Sequence, residues 1–259
     1  MKSEKARVLL LCTDGDSTRA VYNALRDEFG RITVVMEEPV TRLQMAKRRA
    51  ARLGYLPTIG QMAFAGLVVP VLLSSGRARI DEIERGFNLR KDLPDAEVVS
   101  VENVNSHEAR EVLRRVDPEV VVVNGTRIIS PETLGCVEAP FINMHAGVTP
   151  LYRGVHGGYW ALAEGNGDLV GTTVHFVDKG IDTGTIIEQA FFEVTEEDNF
   201  ATYPYLHTAA GIPVLIKAVR RALGGDLSTS TPARPLESKL RHHPTIWGYF
   251  QNRLRRGVK

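Results

Sequence analysis

Five consecutive apolar residues near the start of the chain, Val8-Leu9-Leu10-Leu11-Cys12, constrain the fold more than any other feature. A strand with one wet face alternates polar with apolar. A short run that does not alternate is covered on both faces, as inside a parallel sheet. Thr13-Asp14-Gly15-Asp16-Ser17 then turns the chain into a predicted helix reaching about Phe29, with Asp16 or Ser17 as its cap. Ile32–Met36 reads as a second strand. The alternation returns later, with a strand at Glu97–Val101, a helix at Ser106–Arg115 capped by Ser106, and a strand at Glu119–Val123. The first turn lacks the GxGxxG spacing that dinucleotide binding needs, which argues against NAD.

Residues 41–90 interrupt this pattern. Thr41–Leu53 reads as a basic helix stopped by Gly54. Thr58–Leu73 is strongly apolar, is read as too short to span a bilayer, and contains Pro70, which should kink or end a helix. The plain expectation is a helix pair packed on the sheet or on a partner subunit, consistent with a homodimer. The sharper one is a lid or a membrane-surface patch, because Arg42, Lys47, Arg48, Arg49 and Arg52 adjoin apolar sequence. A short helix is expected at Ala78–Glu84. Further on, Thr172–Val177 and Thr185–Gln189 read as a hairpin, and Thr202–Leu223 as a long helix capped by Asp198 and bent or divided at Gly211-Ile212-Pro213. The expected fold class is α/β: an open, mostly parallel Rossmann-like sheet flanked by helices. One domain is expected over residues 1–225, with the helical insertion at about 41–90, and residues 226–259 form a short C-terminal tail. Its basic amphipathic piece, Thr245–Leu254, is expected to pack on the body or on a partner.

With 259 residues and 43% hydrophobic content, the chain can bury a sizeable core. A net charge of +1 gives no general attraction to nucleic acid, so no nucleic-acid partner is expected. Cys12 and Cys136 lack CxxC partners and read as thiols in a reducing compartment. No signal peptide or transmembrane segment is read, so the cytoplasm is the expected location.

Chemistry concentrates at Phe141–Gly154. Asn143 and His145, two positions apart at the end of an apolar strand, point to one side of an extended backbone. An amide and an imidazole would then share one cavity. Asn124–Ile129 follows another strand end, where open parallel sheets collect ligands. Asp182 lies in Gly180-Ile181-Asp182-Thr183-Gly184, a loop whose glycines imply a shaped backbone. Arg153 could hold an anionic group or salt-bridge across its own loop. His156 and His175 are expected to be structural, and Tyr159 and Trp160 to be core. His242-His243 lack further ligands at metal spacing, so no metal site is expected.

These residues resemble the formyltransferases that use a formylated tetrahydrofolate, a family acting on glycinamide ribonucleotide, methionyl-tRNA and amino sugars. Its catalytic asparagine and histidine match Asn143 and His145, and its catalytic aspartate matches Asp182. The proline-containing loop is matched by Thr149–Gly154, and Gly125–Ile129 resembles the segment that holds the pterin ring. The resemblance implies 10-formyltetrahydrofolate as cosubstrate, held by Thr126, Arg127, Ile128, Ile129, Gly180 and Ile181. It also implies a small-molecule amine bound near Tyr152, Arg153 and Gly15. Departures narrow the acceptor. Ala146-Gly147-Val148 replaces the family's usual Pro-Ser-Leu-Leu, the first turn lacks the Gly-Ser-Asn of the ribonucleotide enzymes, and only a short tail follows Leu223. Elimination leaves a small amine such as a nucleotide-linked amino sugar. The alternatives are hydrolysis of 10-formyltetrahydrofolate, glycinamide ribonucleotide formylation, and a folate-binding scaffold without catalysis.

Overall fold

The computed structural model describes residues 6–94, 98–232 and 237–259. Strands β1 (Val8–Cys12), β2 (Thr33–Glu37), β3 (Val98–Val101), β4 (Val120–Asn124) and β5 (Phe141–His145) are joined by crossovers into the parallel part of a sheet. The hairpin of β7 (Gly171–Phe176) and β8 (Ile186–Phe191) adds two antiparallel strands, giving the order β3-β2-β1-β4-β5-β7-β8. A separate two-stranded ladder pairs β6 (Arg153–Gly154) with β9 (Leu240–Arg241).

The unalternating run behaves as its composition demands. Val8, Leu10 and Cys12 enter one core with Val122 of β4 and Leu215 of helix α9 (Tyr203–Leu223). Leu9 and Leu11 enter a second core on the opposite face, under Val112 and Leu113 of helix α6 (His107–Val116). Ser106 caps α6 as its chemistry predicts, its side chain accepting from the Ala109 N–H. The Glu97 start expected for β3 falls outside the described residues.

Three local expectations need correction. Helix α1 (Asp16–Phe29) has no side-chain cap: Gly15 is its N-cap residue, and Asp16 and Ser17 already lie in the first turn. Helix α9 is undivided despite Pro213, and Asp198 does not cap it. The Asp198 carboxylate instead receives Arg79 at 3.0 Å and the Thr195 N–H at 2.9 Å.

The third concerns the insertion. Helix α2 (Arg42–Leu53) starts at a Thr41/Gln44 capping box and ends at Gly54, as its sequence suggests. Helix α3 (Tyr55–Ala63), a π-helical turn at Phe64–Val68 and helix α4 (Val69–Ser75) then form one continuous rod, Tyr55–Ser75. Its 21 residues are long and apolar enough to cross a membrane by length and composition, so the shorter span read from sequence is superseded. Pro70 does not break the rod. The ladder widens just before it, with the Val69 N–H reaching the Phe64 carbonyl, and the proline ring takes the first turn of α4. Helix α5 (Arg77–Gly86) completes the insertion.

The rod is fastened to the body through Phe64, 2% exposed and 4.9 Å from both the Phe200 and Tyr249 rings. Tyr249 belongs to α10 (Ile246–Arg256) in the C-terminal segment. That segment also lays β9 along β6 and buries Val258, so residues 237–259 lie folded against the body.

Candidate active site

Strand ends and loops enclose a cavity of about 1040 Å³ beyond the carboxyl ends of β1, β4 and β5. Its lining includes Gly15, Thr126–Ile129, Asn143, His145, Gly180, Ile181 and Asp182. The sequence-predicted residues therefore converge on one space, at the place where open α/β sheets bind ligands.

The catalytic candidates form a tight network. His145, 6% exposed, has its Nε2 2.7 Å from the Tyr152 carbonyl. A carbonyl can only accept, so Nε2 carries the proton and Nδ1 of the neutral ring carries a lone pair. That Nδ1 lies 3.4 Å from Asp182 Oδ1. Two acceptors facing each other leave a position that a proton would fill.

Asp182 adopts a left-handed backbone, φ 49°, which aspartate tolerates better than most residues. Its Oδ2 accepts the Gly154 N–H at 2.8 Å, and Arg153 braces the loop by donating to the Ile181 carbonyl at 3.0 Å. Gly184 is required by space, since its neighbour is backbone. A Cβ on Gly184 would collide with the Phe176 carbonyl oxygen, and one on Gly180 with the Thr183 hydroxyl.

His175 belongs to the network, against its expected structural role. β5 and β7 pair so that Asn143 stands opposite His175. His175 Nδ1 donates to the Phe176 carbonyl at 2.8 Å, so its Nε2 accepts from the Asn143 amide at 3.1 Å. Asn143 keeps its second N–H for a ligand. His175 Nε2 also lies 3.7 Å from Asp182 Oδ1.

Burial pushes the His145 pKa below its ordinary value, outweighing the neighbouring Asp182 charge. Burial opposes the Asp182 carboxylate, yet its carboxyl is held below the usual range, with the Gly154 N–H donating to Oδ2. The resting pair is thus anionic carboxylate and neutral imidazole.

Two expected substrate contacts lie elsewhere. Tyr152 is fully buried, its hydroxyl receiving the Asn166 amide at 2.7 Å, and it acts on the site through its carbonyl alone. Arg153 is spent on the Ile181 carbonyl and does not line the cavity. Glu37 escaped the sequence reading. Buried at the end of β2, it accepts the Arg127 N–H at 2.7 Å and the Val104 N–H at 3.1 Å, and so fixes the 126–129 segment. An acid closing an apolar strand was the available signal.

The far wall comes from the insertion and the C-terminal segment, through Arg48, Arg49 and Arg52 of α2 and Leu240–His243. His156 and His243 face each other there, Nε2 to Nδ1 at 2.9 Å. Burial lowers their pKa values to about 3 and about 4. No cluster of three or more His, Cys, Asp or Glu that could hold a metal occurs among the described residues.

A family model described as formyl transferase matches residues 68–219. The chain belongs to the formyl transferase family. Methionyl-tRNA formyltransferase from Chlorobium chlorochromatii is 29% identical over 142 residues, covering 55% of this chain and 45% of that one. The chain thus spans about half the length of the curated relatives it matches. Among solved structures, glycinamide ribonucleotide transformylase 1 from Symbiobacterium toebii superposes with TM-score 0.58 at 19% identity, covering 91% of this chain and 96% of that one. An N-formyltransferase from Helicobacter canadensis, in complex with folinic acid and dTDP-3-aminofucose, gives TM-score 0.53 at 15% identity over 90% and 70% of the two chains. These structural likenesses show a shared fold.

Proposed function

We propose that the protein transfers the formyl group of 10-formyltetrahydrofolate to a primary amine of a small molecule, with a nucleotide-linked amino sugar as the acceptor class. The carrying observation is the Asp182 carboxylate facing the unprotonated Nδ1 of His145 in a cavity that the Asn143 amide also lines. Attack of a neutral amine on the formyl carbon makes a tetrahedral oxyanion and leaves a proton to remove. The free Asn143 N–H is the donor for that oxygen. The Asp182–His145 pair takes the amine proton directly or through a water, and the imidazolium so formed can support the oxyanion. Breaking the carbon–nitrogen bond to the folate, with the proton taken from the amine passed on to the departing nitrogen, then releases formamide product and tetrahydrofolate. No covalent enzyme intermediate is needed.

The donor is assigned to the wall formed by Thr126–Ile129 and Gly180–Ile181. Ile128 presents a largely exposed apolar side chain there, on a backbone that Glu37 and Asn105 hold in place. The volume accommodates a folate and an acceptor together. Arg48, Arg49 and Arg52 line the opposite wall, and no described carboxylate pairs with them, which suits an acceptor carrying phosphates. The Helicobacter neighbour, bound to an amino-sugar nucleotide, supports the same class.

The test is turnover of 10-formyltetrahydrofolate by the purified protein with a panel of nucleotide-linked amino sugars. Asp182→Asn should keep folate affinity and lose transfer. Turnover in that variant would remove Asp182 from the mechanism. Formate release that no amine alters would mean hydrolysis instead.

A further inference from the structure

Charge is distributed over this nearly neutral chain in an extreme way. Residues 39–80 carry seven lysines and arginines and no acid, and residues 238–259 carry six and no acid. The rest of the chain is left with nineteen cations against thirty-one acids. The two acid-free segments meet in the fold. Gly60 of α3 lies under the Trp247 ring of α10, so close that a Cβ would collide with it, and Gln61 donates to the His243 carbonyl at 2.9 Å.

The same two segments carry a concentration of exposed large apolar side chains. Only 28% of an 18-residue apolar stretch within the Tyr55–Ser75 rod is buried. Thr58, Gln61 and Phe64 face the body, while Tyr55, Leu56, Ile59 and Met62 face outward, followed at helical spacing by Leu67 and Val71. Leu56 is 69% and Leu67 67% exposed. Beside them α10 exposes Trp247, Phe250 and Leu254, the last at 87%. Apolar patches of this kind on a folded surface mark a binding face. Lys47 of α2 and Arg253, Arg255 and Arg256 of α10, all exposed and outside the cavity lining, add positive charge to the same elements.

We infer that α2–α4 and α10 form a docking face for an anionic lipid bilayer, on which the protein lies peripherally. Aliphatic and aromatic side chains flanked by lysine and arginine are the pattern that enters the headgroup boundary. A protein partner would need complementary carboxylates, and a second copy of this chain brings the same exposed cations, Lys47, Arg253, Arg255 and Arg256 among them, which repel. The rod also cannot be encased in lipid, because Phe64 and Gln61 tie one side of it to the body. Much of this face lies outside the family match, which begins at residue 68. Yet α2 and α4 also contribute Arg48, Arg49, Val69 and Leu73 to the cavity wall, so docking brings the cavity close to the bilayer surface.

Vesicle flotation of the full chain tests this without any formyl donor, so its failure would leave the reading of the active site standing. Vesicles of phosphatidylcholine mixed with phosphatidylglycerol should carry the protein, phosphatidylcholine alone should not, and raised salt should release it. Lys47→Gln and Arg255→Gln should each weaken binding about fivefold. The pair Leu67→Asp and Val71→Asp, at exposed positions outside the cavity, should abolish it, with unchanged thermal melting as the control for folding. Absence of binding, equal binding to both vesicle types, or retention through salt and alkaline carbonate would overturn the inference. So would a dimer in sedimentation that Leu67→Asp dissolves in protein that ignores vesicles.

Discussion

The cavity presents two walls that obey opposite rules. On the sheet side the chemical groups are held by protein partners: His145 by Tyr152, His175 by Asn143 and Phe176, Asp182 by Gly154, and Glu37 by Arg127 and Val104. On the insertion side Arg48, Arg49 and Arg52 have no described carboxylate, and large apolar side chains stand in solvent. The first wall is preorganised, its polar groups fixed before anything binds. The second is unsatisfied, and its free energy is realised only with something bound. A fold can therefore keep a fixed chemical centre while its approach surface is open to change.

Five measurements sharpen or break this contrast, beginning with the largest effect. Phe64→Ala, at the joint between the two regions, should cost about 3–5 kcal/mol in denaturant unfolding, because it empties a site packed by Phe200 and Tyr249. A loss below about 1 kcal/mol would mean the insertion is hardly fastened. Asn143→Ala should lower kcat by about 100- to 1000-fold, equivalent to about 2.7–4 kcal/mol, with folate affinity little changed. A purely structural Asn143 would instead lower stability and binding together.

Acid should act next. His207 is 3% exposed, and burial lowers its pKa to about 3. Above about pH 6.5 neither the folded nor the unfolded chain protonates it, and stability is unaffected. As pH falls from about 6.5 toward the folded value, only the unfolded chain takes the proton, and stability drops by about 1.4 kcal/mol per pH unit. Melting curves from pH 6 to pH 4 should flatten by that slope in His207→Gln. Over the same range kcat/KM should fall with an inflection below the ordinary histidine value, because burial keeps His145 neutral. An inflection above it would require a protonated resting ring. Smallest of all, Leu67→Ser on the outward face should change stability by less than about 0.5 kcal/mol. A larger loss would mean that the exposed stripe is part of the core.

Much of the sheet side was legible in the residues. Val8–Cys12 and the valines of β4 do not alternate, and both lie buried between two layers. Asn143 and His145 were legible because a two-residue step at a strand end fixes a shared face. Asp182 stood out through its flanking glycines, of which Gly184 proves to have no room for a side chain. What stayed hidden depended on long-range pairing. His175 joins the site only because β7 runs antiparallel to β5 in one register, and Glu37 because Arg127 arrives 90 residues later. The length of the rod was hidden by Pro70, since no residue pattern announces a π-helical turn that absorbs a proline.

The small β6–β9 ladder has a consequence for how the cavity is held together. Arg153 and Val155 donate to the Lys239 and Arg241 carbonyls, and Gly154 between them holds the Asp182 carboxylate. The anchor of the carboxylate therefore lies on a strand whose own partner, Arg241, comes far beyond His145 in the chain, so the C-terminal segment braces the cavity from a distance in sequence.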